Sequence, residues 1–162
     1  MRPAALALLL ALPAAAASLK DDPARVQLRL EALGGEPTSL LGPRGGVGLG
    51  AAFLLTDQLS LFADGHSRPA PGGGIHSFAV GLSATLDITP IEPYIEVAVA
   101  TLTNRSALGY SAAARTGAGA DLRLARALAV GVLVRTYTPF NGDTAVAGFE
   151  AALRLSFALG AK

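Results

Sequence analysis

The chain has 162 residues, with 13 basic and 12 acidic side chains and a formal net charge of +1. It has no Cys, which excludes disulfides and thiolate metal sites, and its balanced charge leaves no basic field for nucleic acid. Charged residues make up 15% against a usual value of about 25%, while hydrophobic residues reach 51% with only 6% aromatics and 19 glycines. Apolar, Gly-rich and charge-poor is the composition of a membrane-embedded wall rather than of a typical soluble domain.

Met1-Arg2 gives a short positive region, and Ala4 to Leu12 is an apolar run that Pro13 breaks. Ala15-Ala16-Ala17 before Ser18 offers an A-x-A cleavage site. Residues 1–17 therefore read as a signal peptide and 18–162 as the exported domain. No later stretch is long and apolar enough to span a bilayer as a helix, so a membrane-spanning reading requires strands.

Strands are what the periodicity gives. In Arg25 to Leu33, Val26, Leu28, Leu30 and Ala32 alternate with Arg25, Gln27, Arg29 and Glu31; a helix cannot segregate these sets. Gly/Pro content makes residues 34–46 a loop. Val47 to Leu55 is a second strand. Its GVGLGA run has Gly46-x-Gly48-x-Gly50 spacing, which is not the dinucleotide fingerprint. After a tight turn at 56–58, Leu59 to Asp64 starts a third strand, which is short unless it extends into His66 and Ser67. The segment 65–74, GHSRPAPGGG, reads as a loop carrying His66 as a solvated side chain.

Ile75 to Ile88 has the cleanest dyad repeat, with Phe78, Val80, Leu82, Ala84 and Leu86 on one face. Pro93 opens a fifth strand, in which Ile95, Val97, Val99 and Thr101 face away from Tyr94, Glu96, Ala98 and Ala100. The sixth strand covers about Leu108 to Leu124 and the seventh about Leu128 to Thr138. In the seventh, Leu128, Val130, Val132 and Val134 share one face and Ala129, Gly131, Leu133 and Arg135 the other. Asn141-Gly142 is a turn signal. Ala145 to Leu159 is the last strand, with Glu150 and Arg154 opposite Phe149, Leu153, Leu155 and Phe157.

Across the two strands from Arg115 to Tyr137 the second face is small and charged where a soluble barrel would place its apolar core. This is a barrel turned inside out, apolar toward lipid and polar within. The expected fold is an all-β, closed antiparallel up-and-down transmembrane β-barrel of about eight strands, with the tight turns periplasmic and the longer loops outside. The inward face collects Arg29, Glu31, Glu96, Arg115, Arg135, Glu150 and Arg154. A barrel of about eight strands fills its interior with side chains, so these charges must pair. A salt-bridged plug is the expectation. A gated polar path, with one arginine exchanging carboxylates, is the sharper alternative.

Residues 89–100, TPIEPYIEVAVA, and 117–131, GAGADLRLARALAVG, resemble strand-start and glycine-hairpin segments of the small eight-stranded outer-membrane barrels, the family of the outer membrane protein A barrel domain. The resemblance covers roughly residues 24–160. It implies an integral protein of a Gram-negative outer membrane, placed among lipid by the outer-membrane assembly machinery and acting as a monomer. The sequence departs from that pattern at its end, where Phe157 is followed by Ala158 to Lys162.

No catalytic set is visible. His76 and Ser77 are neighbours on one strand and point to opposite faces, and His66-Ser67 falls in the expected loop. Two histidines without a carboxylate cluster make no metal set, and no cofactor motif appears. The expected role is structural, or a narrow polar conduit, without enzymatic activity. The alternative is a binding module, either through outer loops, where Phe140 is the aromatic anchor, or as a soluble secreted ligand-binding barrel with its faces reversed.

Overall fold

A computed structural model describes residues 26–34, 45–70, 73–86, 90–104, 109–125, 127–140 and 148–159. The proposed signal peptide, the Asn141-Gly142 turn and the residues after Leu159 lie outside them. The described residues form eight strands: β1 (Val26–Gly34), β2 (Gly46–Leu54), β3 (Leu59–Ala70), β4 (Gly73–Thr85), β5 (Ile91–Asn104), β6 (Gly109–Ala125), β7 (Leu128–Pro139) and β8 (Gly148–Leu159). Each pairs antiparallel with its sequence neighbour, and β1 also pairs with β8, which closes the barrel. Closure leaves no free sheet edge, so the strand backbones find their hydrogen bonds within the wall.

Burial alternates residue by residue and is inverted. On β7, Val134 is 53% exposed while the next residue, Arg135, is 0% exposed. The outward face carries Leu28, Leu30, Leu49, Val80, Val97, Val99, Val130, Val132 and Leu153, all exposed. No soluble fold stabilises itself by turning that many large aliphatic chains to water. A hydrocarbon surround removes the penalty.

The tight turns follow local chemistry. Between β2 and β3 the Thr56 hydroxyl accepts hydrogen bonds from the Gln58 N–H (3.2 Å) and the Leu59 N–H (2.9 Å). The Leu55 N–H donates to the Leu59 carbonyl at 2.8 Å and closes the same turn. At this end of the barrel also lie the start of β5 and the hairpin between β6 and β7, where the register shifts between Arg123 and Ala125.

One element differs from expectation. β3 does not stop at Asp64; it runs 12 residues to Ala70, and its pairing with β4 continues through Pro69↔Gly74 and Ala70↔Gly73. Gly65 and Pro69 are loop formers by local preference, but long-range pairing with β2 and β4 outweighs that preference. Pro69 lies almost at the hairpin, where a missing ladder donor costs least. His66, expected as a solvated loop residue, is consequently a lumen residue and only 5% exposed.

The lumen wall is thin where the charges need space. A Cβ on Gly48 would sit 2.8 Å from His66 Nε2, one on Gly50 2.8 Å from Asp64 Cβ, and one on Gly117 2.9 Å from Glu96 Cγ. Ala79, Ala100 and Ala113 line a second stretch with Tyr137. Leu33, Tyr94, Leu133 and Ala152 form a separate apolar cluster inside. Small wall residues and a few large ones together leave a cavity shaped for arginine stems.

Candidate functional site

All seven expected charges point inward, and every one is buried. Six form a single network with three further residues: Asp64, the last residue of the short reading of β3, and His66 and Arg68, which lie beyond it. Arg135 is its centre. Its Nε donates to Glu96 Oε1 at 2.8 Å, Nη2 to Glu31 Oε1 at 2.8 Å and Nη1 to Glu150 Oε1 at 2.9 Å. One guanidinium thus ties β7 to β5, β1 and β8.

Arg154 bridges two of the same carboxylates, with Nε on Glu31 Oε1 at 2.9 Å and Nη2 on Glu96 Oε2 at 3.2 Å. Its guanidinium also lies over the Tyr94 ring, 4.7 Å from the centroid. Arg115 grips Asp64 in a two-pronged pair, Nη1 to Oδ1 at 2.7 Å and Nη2 to Oδ2 at 2.5 Å, the fork geometry that Arg offers and Lys does not. Arg68 donates from Nη2 to Glu150 Oε2, and the Tyr137 hydroxyl donates to the same oxygen at 3.4 Å.

The charge count explains why this cluster can be buried. Arg68, Arg115, Arg135 and Arg154 face Glu31, Asp64, Glu96 and Glu150, four cations against four anions. Desolvating any one of these alone would cost several kcal/mol, about what a paired and hydrogen-bonded partner returns. The pairs form a connected set that ties β1, β3, β5, β6, β7 and β8 together, with Arg68 Nη1 and Arg115 Nε left without a hydrogen-bond partner among the described residues.

His66 is the ninth member. Its Nε2 lies 3.0 Å from Glu31 Oε2 and 3.2 Å from Arg135 Nη1, and Ser77 Oγ lies 3.3 Å from Nδ1. Ser77, His66 and Glu31 therefore stand in one row across β4, β3 and β1, with Gly48 of β2 leaving room for the ring. The order is that of a nucleophile, a base and an acid, but the ring's Nε2 is shared with a guanidinium. His76, the neighbour of Ser77 in sequence, faces outward and is exposed, as the strand alternation requires.

Arg29 departs from expectation. It is inside and 7% exposed, yet it makes no ion pair among the described residues, and its Nε and Nη1 have no hydrogen-bond partner. Its guanidinium lies 5.6 Å from the Phe62 ring centroid, and Arg115 of the plug lies 5.3 Å from the same ring. Among the described residues no group of His, Asp and Glu is arranged to hold a metal ion.

Among solved structures, the chain is similar to the N-terminal β-barrel domain of Pseudomonas aeruginosa OprF, with a TM-score of 0.63 and 15% identity over 82% of this chain and 97% of that one. It is similar to the outer membrane protein OprG from Pseudomonas aeruginosa, with a TM-score of 0.61 and 13% identity over 86% and 98%. A de novo designed transmembrane β-barrel matches with a TM-score of 0.57 and 18% identity over 86% and 98%. No protein-family model matches the sequence, and no curated protein matches it. The chain has the fold of the small eight-stranded outer-membrane β-barrels. At these identities the likeness is one of architecture, and a designed sequence reaches the same architecture.

Proposed function

We propose that this chain is an integral β-barrel of a Gram-negative outer membrane with a structural role, its lumen closed at rest by the Arg/acid plug. Residues 1–17 act as the export signal and 18–162 as the barrel. The protein is a monomer, its partners are membrane lipid and the assembly machinery, and the tight turns face the periplasm. The observation that carries this reading is the inverted burial. An aliphatic outer belt surrounds a connected, charge-balanced interior, and Arg135 spans the lumen to three strands at once.

The structural reading is favoured over the conduit because the plug's central guanidinium holds three buried carboxylates at once, and the next, Asp64 at 3.9 Å, is already gripped by Arg115. Planar-bilayer recording separates the two. A structural barrel stays silent, and Arg135→Leu weakens it without large conductance. Discrete conductance steps in the wild type, or a leak in an Arg135→Leu barrel of unchanged stability, would support the conduit.

The absence of enzymatic activity belongs to the same reading. The row Ser77–His66–Glu31 is the arrangement that favours a hydrolase instead. Against it stands Arg135, whose Nη1 occupies the ring nitrogen that an acidic orienter would need to itself. A fluorophosphonate probe on the folded protein is expected to leave Ser77 unmodified; stoichiometric labelling lost in Ser77→Ala would replace the structural reading with a catalytic one.

A further inference from the structure

Beneath the plug, at the end of the barrel that carries the tight turns, lies a cavity of about 70 Å³. That is room for a few water-sized molecules or one small polyatomic ion. Its lining includes Arg29, Gln27, Ser60, Gln58 and Thr85 from the lumen and turn, with Arg123 at the rim. Asp57 and Glu92 also line it, and Glu92 is ion-paired with Arg123.

Arg29 is the feature the plug does not explain. More than nine-tenths of it is buried, and it carries an obligatory positive charge. Yet two of its N–H positions have no partner. A buried guanidinium with unmade hydrogen bonds is costly, more so than a neutral donor. The Ser156 hydroxyl, directly across the β1–β8 register from Arg29, is likewise buried without a partner, as is that of Ser83. The plug cannot supply the missing acceptor, because its four carboxylates already face four arginines. The Phe62 ring sits between the two groups of charge, in contact with Arg115 of the plug and with Arg29. Asp121 is the acid of this deeper lumen that stands outside the plug. One of its oxygens is also without a partner, and its negative charge works against a multiply charged anion.

From this geometry we infer a binding site for a small oxyanion, a carboxylate or a phosphate group, held by the Arg29 fork at the tight-turn mouth of the barrel. Guanidinium donors in a fixed plane match the two oxygens of such a group. Assigning this mouth to the periplasm rests on the orientation proposed above; binding itself does not, so failure of one is distinguishable from failure of the other.

The test is titration of the folded barrel in detergent micelles with sodium acetate and, separately, with inorganic phosphate at constant ionic strength. The readout is the Arg29 side-chain Nε–Hε signal, assigned by its absence in Arg29→Gln. The site predicts a saturable shift with at least one of the two. Saturation by acetate alone identifies a carboxylate site, and saturation by phosphate alone a phosphate site. Arg29→Lys, which keeps the charge and loses the fork, should bind about tenfold more weakly or worse, followed by the shift of the ligand's own signal. That variant also serves if Arg29→Gln fails to fold. A shift that never saturates with either ion, or binding unchanged in Arg29→Lys, would overturn the assignment.

Discussion

Arg135→Leu removes the centre of the plug, and its cost can be bounded from the contacts. Three carboxylates lose a hydrogen bond, but none is left without a cation. Glu31 and Glu96 keep Arg154, and Glu150 keeps Arg68. The balance falls from four against four to three against four, so the loss is one uncompensated buried charge rather than three. Breaking one side of a buried pair costs about 3–5 kcal/mol, a large share of the ~5–15 kcal/mol that typically holds a fold. The chain has no Trp, so unfolding in urea is best followed by the fraction of folded band on an unboiled gel. Arg123→Gln is the control, since Arg123 pairs with Glu92 at the rim with its side chain 48% exposed, and such pairs are worth about 0–1 kcal/mol. A loss under about 1 kcal/mol for Arg135→Leu, or one equal to the control, would refute the view that the network is a desolvated plug.

Replacing both members of one pair should cost less than replacing either alone. Asp64→Leu with Arg115→Leu is expected to be more stable than each single variant, and a double-mutant cycle in urea checks the sign. Gly117→Ala places a methyl 2.9 Å from Glu96 Cγ and 3.2 Å from Arg135 Cγ, which should cost about 1–3 kcal/mol. Gly34→Ala meets nothing within 4 Å and should stay within about 0.5 kcal/mol by the same assay. On the outer face, Val132→Arg should cost about 2–4 kcal/mol and Leu124→Arg, near the turn, about 0–1 kcal/mol when folding is measured in lipid vesicles. Equal costs at the two positions would argue against a hydrocarbon belt.

The barrel is legible because period-2 alternation survives in nearly every strand, and because the inward face keeps its charges whatever the neighbours are. Arg135 and Glu150 can be placed from β7 and β8 alone. Their partnership cannot be, since it depends on register between strands. β3 is the instructive case. The alternation Phe62, Asp64, His66, Arg68 against Leu61, Ala63, Gly65, Ser67 continues unbroken past Gly65, and following it to Arg68 brings two more plug residues, His66 and Arg68, into view beside Asp64. Gly65 and Pro69 masked it, because local turn preference is visible in a sequence and pairing with β2 and β4 is not. Arg29 shows the opposite limit. Its inward direction follows from the pattern, whereas its exclusion from the plug follows from three-dimensional packing around Phe62.

The molecule is a closed barrel with lipid outside and charge inside. The most direct test of that is gel mobility of the protein extracted from membranes, boiled against unboiled. The protein is expected in the membrane fraction, as a compact, detergent-resistant band whose apparent mass changes on heating. Recovery only in the soluble fraction, with one mobility before and after heating, would contradict that arrangement.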